Sequence, residues 1–361
     1  MMSDGKINNC CRTPRFELSK SKILEQFQKV KEVCKLVSYS SKTNSLASPI
    51  LERETDCMFS VHLKNELKNI SDLSRVIFLA QGWNLDEISE FIGLGITHFV
   101  VDNVVDLEIF EKYLEENENV CGLTLFLRLK LKERSLRTER YFVFGIESEI
   151  INKKIKKLSL FKESGKLTGL GIHFHRKTQN MSEWNLKYEL EQTIEPEVFD
   201  LLDYVNIGGG LPSEYANTNV DVIKSVFSKV LDLGNWFESL GIKMIVEPGR
   251  FICAPAGRLF TKVLRIYNKN IIVNVSVYNT DMDALIVPVK LLIEGEVSKE
   301  KGEGEAYVIK GTTPCSMDLF RYRVYLKNIC EGDELVFINA GAYNFSTDFC
   351  DLEKIETVIV D

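Results

Sequence analysis

The chain has 361 residues, 45% hydrophobic and 27% charged, enough for one barrel-sized domain and a smaller second one. A formal net charge of -7 argues against general nucleic-acid binding, which wants a basic face, and no apolar stretch approaches the roughly 18 residues of a membrane span. The cysteines number nine, an odd count at irregular spacing with no signal peptide, which favours reduced thiols and a cytoplasmic setting.

The first dozen residues are polar and read as a tail. Its adjacent Cys10 and Cys11 lack a second pair at zinc spacing, so no metal site is expected there. Arg15 to Leu18 reads as a strand that joins a sheet formed later in the chain. Ile23 to Lys35 follows with Ile23, Leu24, Phe27, Val30 and Val33 at helical spacing. Eight short apolar runs then recur. Leu36 to Ser41 stops at Lys42, and four more begin near Cys57, Arg75, His98 and Leu123. Leu170 to Phe174 stops at His175, Tyr204 to Ile207 runs into Gly208, Gly209 and Gly210, and Met244 to Val246 runs into Glu247, Pro248, Gly249 and Arg250. Helix-period segments such as Leu107 to Glu116 and Val220 to Leu240 lie between them, and the charged stretch Glu133 to Glu139 reads as a loop or flap.

That alternation predicts an α/β fold, a (β/α)8 barrel of the TIM type, with its active site at the C-terminal ends of the strands. After Pro255 the texture becomes mostly β. Strands are expected at Leu259 to Ile266, Ile271 to Tyr278, Ile286 to Leu292, Ala306 to Ile309, Tyr322 to Tyr325 and Glu334 to Ile338. The expected division is an N-terminal arm and strand over 1–20, a barrel over 21–254 and a C-terminal β domain over 255–361.

The residues able to do chemistry cluster at the predicted strand ends. Lys42 has an amine suited to hold an aldehyde cofactor once its neighbours lower its pKa, although a lysine after a strand is also an ordinary surface residue. Gly208, Gly209 and Gly210 let consecutive N–H groups converge on a phosphate, or form a flexible turn. Glu247 can keep a pyridine nitrogen protonated and Arg250 can pair with a phosphate, unless the two are a surface pair in a Pro-Gly turn. His173 and His175 fall on one strand face, where one ring can lie against a flat cofactor; a metal pair and a structural role are the rivals. Thr178 can donate a hydroxyl to phosphate. Cys315 and Asp318 share a turn of the second domain, where Cys315 is either reactive or an inert packing residue. Tyr343 ends a later strand within reach of a phosphate or of the core edge.

In this order the segments resemble the fold-type III pyridoxal phosphate decarboxylases, the group of ornithine, arginine and diaminopimelate decarboxylases. Tyr39 to Asn44 resembles the cofactor-lysine motif, Gly171 to His175 the strand of the ring-stacking histidine, and Ile207 to Pro212 the glycine phosphate loop. Glu247 to Arg250 is similar to the pyridine-nitrogen glutamate and phosphate arginine. Cys315 with Asp318 is similar to the cysteine turn, and Gly341 to Tyr343 to the phosphate tyrosine. The resemblance implies an alanine-racemase-like barrel with a β domain, pyridoxal 5'-phosphate on Lys42, and His175 over the ring. It also implies a homodimer in which Cys315 and Asp318 enter the partner's site, Cys315 returning a proton to the substrate's Cα. The implied substrate is an amino acid, either a diamino acid or a carboxylated polyamine or siderophore precursor. A racemase and a silent regulatory homologue are the rival readings. The retained cofactor residues speak against silence, and Cys315 replaces the tyrosine of racemases.

Departures bear on specificity. Cys315 and Asp318 stand one residue closer than is usual. Val287 occupies the position of the aspartate that meets a distal ammonium in ornithine enzymes, so that role would fall to another acid such as Asp281, Asp283 or Asp318, and no arginine precedes Pro288 as it does in diaminopimelate enzymes. Ser60 and Val143 replace charged residues common in the ornithine group, while Glu66 is retained. After His175 the chain carries Arg176 and Lys177 where small residues are usual, and these two cations are expected either to bind a second substrate carboxylate or to be solvated loop charges.

Overall fold

The structure is a computed structural model that describes residues 13–131, 143–182, 184–298, 303–344 and 347–361. The polar tail with Cys10 and Cys11 and the expected flap at Glu133 to Glu139 lie outside these residues. The chain divides into two compact units. One comprises Leu24–Pro212 with Asn219–Ile252, the other Met1–Ile23, Ser213–Thr218 and Cys253–Asp361. The excursion Ser213–Thr218 into the second unit carries no mark in the sequence pattern.

In chain order come β1 (Arg15–Ser19), α1 (Lys20–Lys31), β2 (Leu36–Ser40), α2 (Ser48–Glu54), β3 (Met58–Val61), β4 (Val76–Ala80), α3 (Leu85–Gly93), β5 (His98–Val101), α4 (Val104–Glu116) and β6 (Leu123–Arg128). They are followed by α5 (Ser148–Leu158), α6 (Leu160–Glu163), β7 (Leu167–His173), α7 (Leu186–Glu191), α8 (Pro196–Phe199), β8 (Tyr204–Asn206), α9 (Val220–Ser239), β9 (Lys243–Val246) and α10 (Arg250–Cys253). Strands β2 to β9 form a closed barrel in sequence order with every neighbour parallel, and β9 pairs back onto β2 through Leu36 opposite Ile245. Parallel strands buried on both faces need near-continuous apolar runs, which is why these segments lack alternation. Ile77, Val100, Phe126 and Ile245 fill the interior, with Leu36, Met58, Leu79 and Tyr204 packed against them. Gly169 and Gly171 make room for that filling: a Cβ on either would press into Thr124, Phe126 or Tyr204.

Helix starts are written locally. Asn84 and Asn103 accept from the amides of Glu87 and Asp106, satisfying donors that the first helical turn leaves unpaired. Helix α1 ends four residues before the predicted Lys35, and Cys34 turns inward with its Sγ on the Leu36 and Met244 carbonyls.

The second unit continues with β10 (Gly257–Tyr267), β11 (Asn270–Val273), α11 (Val277–Thr280), α12 (Asp283–Ile286), β12 (Leu292–Ile293), β13 (Glu305–Lys310), β14 (Leu319–Leu326), β15 (Glu334–Ile338) and β16 (Thr357–Val360). Its eight-stranded sheet runs β12-β15-β10-β11-β13-β14, with β1 antiparallel to β10 and parallel to β16. Two expected strands need correction. The segment Ile271 to Tyr278 leaves the sheet at Val273, and Ile286 to Leu292 contributes only Leu292 to β12. Ser276 and Asn279 form a reciprocal capping box that starts α11, and this local bonding outweighs the β-branched composition.

Candidate active site

Every strand of the barrel delivers a polar residue to its C-terminal end. Lys42 sits in the tight turn after β2, exposed at the mouth. Desolvation by the surrounding protein pulls its pKa down, Glu247 and Glu66 oppose this, and Arg128 adds to it. Close packing holds the turn: a Cβ on Gly249 would collide with the Thr43 hydroxyl.

Glu247, after β9, is buried. Burial alone would raise its pKa. The charge and hydrogen bond of His173, with further bonds from Asn206 and Ser60, outweigh that and hold it well below the carboxylate range. His173 Nε2 lies 3.4 Å from Glu247 Oε2, and Asn206 Nδ2 donates to Oε1 at 2.7 Å. Asn206 Oδ1 also accepts from the Gly208 amide at 2.9 Å, so one side chain couples the glycine turn to the carboxylate. An ionised, buried carboxylate of this kind suits a cationic ring N–H.

The glycine turn is imposed by its neighbours. Gly208 and Gly210 have φ of 66° and 93°, a Cβ on either would strike the carbonyls of Phe174 and Lys177, and one on Gly209 would lie 2.6 Å from the Glu247 carbonyl. The Gly209 amide donates to His175 Nδ1 at 3.2 Å, which leaves the ring proton of His175 on Nε2. His175 stands exposed beyond β7, while desolvation of its nitrogens and the Arg128 charge keep the ring neutral. The two histidines are thus divided: His173 serves Glu247 from within the barrel and His175 lies at the mouth. That division replaces a metal pair. Arg250 begins α10 and is buried, and Thr178 is half-buried in the segment after His175.

Arg176 does not offer an open cation. Its buried guanidinium pairs with Glu189 of α7, so its charge is already neutralised. Lys177 is half-buried, with its carbonyl packed under Gly210.

In the second unit, Cys315 is exposed, with its Sγ 2.7 Å from Tyr278 Oη. That hydroxyl lowers the thiol pKa, while the Tyr278 phenol is pushed up to about 12. Asp318 is turned inward. Its oxygens accept from the Val277 amide at 2.8 Å and from the Thr313 amide and hydroxyl at 3.0 and 2.7 Å. Its carboxylate is consumed in shaping the turn and is not presented to a substrate. Tyr343 is half-buried with φ of 60°, a strained backbone for a non-glycine residue.

Several site residues went unread in the sequence. His62 follows β3, Gln81 follows β4, Asp102 follows β5, Arg128 ends β6 and Asn206 ends β8. Their shared signal was position: each closes a barrel strand, as Lys42 and Glu247 do.

A family model described as pyridoxal-dependent decarboxylase, pyridoxal binding domain, matches residues 20–254. Diaminopimelate decarboxylase of Helicobacter pylori strain 26695 is 25% identical over 358 residues, covering 93% of this chain and 86% of the relative. That of Methanocaldococcus jannaschii is 24% identical, covering 92% and 82%. The crystal structure of the latter enzyme superposes with a TM-score of 0.79 at 20% identity over 97% of this chain and 87% of that one. The lysine/ornithine decarboxylase of Vibrio vulnificus complexed with putrescine gives 0.75 at 21%, over 97% and 94%. With a match spanning the barrel and lysine, glutamate and glycine turn standing at its strand ends, the chain belongs to the pyridoxal-dependent decarboxylase family.

Proposed function

We propose that this protein removes the α-carboxyl group of a diamino acid or a carboxylated relative, with Lys42 as the anchor of pyridoxal 5'-phosphate. The observation that carries the assignment is Glu247, a buried carboxylate kept ionised by three partners at a strand end, in the same mouth as Lys42. The glycine turn, closed to any side chain, suits a phosphate. The buried Nδ1 atoms of His62 and His173 and the Oε2 of Glu66 have no hydrogen-bond partner among the described residues, as polar groups awaiting a ligand do.

The chemistry supplied by the bound cofactor is an electron sink for the pair left when the carboxyl group departs as carbon dioxide. The protein provides the rest. Lys42, its amine made less basic by desolvation, would hold the cofactor's aldehyde carbon. Glu247 would keep a proton on the ring nitrogen, and His175 would lie against the ring. Gly208, Gly209, Gly210, Thr178, Arg250 and Tyr343 would hold the phosphate. Cys315 of a second copy, its thiol acidified by Tyr278, would deliver a proton to Cα in place of the lost carboxyl group, in a homodimer with shared sites.

The substrate follows from what the site lacks. Val287 carries no charge, and Asp281, Asp283 and Asp318 are buried at 0%, 3% and 2% exposure. An ammonium left unpaired in a closed site costs on the order of several kcal/mol. A diamino diacid of the diaminopimelate type carries its own carboxylate beside its distal ammonium, whereas ornithine and lysine bring that ammonium without a counter-charge and are therefore expected to be poorer substrates. Amine products measured from a panel of both classes test this, with at least a tenfold higher kcat/KM expected for the diacid. Borohydride reduction and peptide mapping test the anchor: label on any residue other than Lys42 overturns it.

A further inference from the structure

Arg128 closes β6 at the barrel mouth, where Asp102, after β5, holds it and Gln81, after β4, braces Asp102. Its Nη1 donates to Asp102 Oδ1 at 2.6 Å, and Gln81 Nε2 donates to the other oxygen at 2.6 Å. Asp102 is 2% exposed. Behind this pair, Asp106 accepts from the Gly82 and Trp83 amides at 2.9 and 3.0 Å and from Asn103 Nδ2 at 2.7 Å. The segments carrying Gln81 and Asp102 are thus tied to the same first turn of α4. The guanidinium carbon lies 5.0 Å from the centre of the Phe144 ring. A guanidinium–carboxylate pair so largely withdrawn from water is weak evidence for stability, because desolvation offsets the attraction. This one stands where charge matters to chemistry.

Among the described residues, the charges that act on Lys42 are the carboxylates of Glu247, after β9, and Glu66, after β3, and the cation of Arg128. His62 is neutral, its pKa taken down to about 4 by burial and then by Lys42. The two carboxylates favour the ammonium form of Lys42, while attack on an aldehyde needs the neutral amine. Desolvation is the main counterweight and Arg128 adds to it, by an amount that depends on where its guanidinium sits and how far its charge is neutralised. We propose that Asp102, braced by Gln81, is a positioning residue that holds Arg128 in the mouth and sets how much of its positive charge reaches Lys42. This rests on Lys42 being the cofactor anchor.

The test uses full-length apoprotein mixed with pyridoxal phosphate, with capture followed by absorbance against pH in a stopped-flow instrument. The midpoint of the capture rate reports the Lys42 amine independently of turnover. Asp102→Asn keeps the shape and removes the negative charge, so Arg128 acts undiminished and the midpoint moves down. Arg128→Gln removes the cation and the midpoint moves up. Each shift is expected to be about half a pH unit or more. Arg128→Lys restores the charge without the paired geometry and falls between Arg128→Gln and wild type. The double variant Asp102→Asn with Arg128→Gln returns towards wild type, and it keeps the test open if the single Asp102 variant fails to fold. Opposite shifts in the two single variants support the inference. Coincident midpoints, or shifts in one direction, overturn it while the functional reading survives. Absence of wild-type capture at Lys42 overturns both.

Discussion

Glu247 is a buried carboxylate whose ionisation is decided by its partners. His173, Asn206 and Ser60 together outweigh the desolvation that would otherwise protonate it. Asn206 is the least replaceable of them, because it also anchors the Gly208 amide. Asn206→Ala leaves a buried donor and part of a carboxylate unsatisfied, a cost of about 1–3 kcal/mol. Cofactor retention on dialysis is therefore expected to weaken by about tenfold or more, while Asn206→Asp changes the charge beside Glu247 and is worse. His62 carries a different consequence. Its folded pKa of about 4 lies below the unfolded value of 6.5, so the unfolded chain takes up the proton first as pH falls. The stability it contributes is fully present above about 6.5 and is lost as pH falls through 4. Melting temperatures of wild type and His62→Leu compared between pH 7 and 4.5 should show a flatter decline in the variant.

The barrel strands end in chemistry because each turn is built from local bonds that leave a side chain at the mouth. Asn103 shows how short the distance is between a helix cap and the site. It caps α4 through the Asp106 amide, and the preceding residue is Asp102. Asn103→Ala is expected to lower stability by about 1 kcal/mol in urea unfolding and to loosen the segment that carries Asp102. The glycine turn tolerates less. Gly210→Ala meets both a positive φ and the Lys177 carbonyl. Cofactor loading is expected to fall sharply with little change in far-ultraviolet circular dichroism, since the barrel strands do not depend on the turn.

For the molecule as a whole, the two units hold different parts of the proposed chemistry. Lys42, Glu247 and the glycine turn belong to the barrel, and Cys315 with Tyr278 to the β unit. If Cys315 acts in the site of a second copy, inactive Lys42→Ala and inactive Cys315→Ala chains should restore activity on mixing, because one heterodimer site is intact. About a quarter of wild-type activity is expected when half of the chains form heterodimers, each with one of two sites complete. No recovery under conditions shown to exchange subunits counts against shared sites. Among the described residues no helix is long and apolar enough to cross a membrane.

Much of this was written in the chain as period and punctuation. Apolar runs of three to seven residues separated by helical spacing specify parallel strands covered on both faces, and eight of them with chemically useful residues at their ends fit a closed barrel. Lys42, Gly208 to Gly210 and Glu247 to Arg250 were legible because each closes such a run with a residue that has an evident chemical use. What sequence patterning left open depends on neighbours distant in the chain. Arg176 read as a cation for a substrate until Glu189, thirteen residues on, neutralised it. Asp318 read as a substrate acid until Val277 and Thr313 took its oxygens. Tyr278 read as part of a strand until Ser276 and Asn279 capped a helix. Arg128, Asp102 and Gln81 drew no notice singly, because a charged or amide residue after a strand is ordinary. Strand order determines which residues the chain can bring to the mouth. Which charges remain there unneutralised is decided by pairings across the fold, and those exist only once the barrel closes.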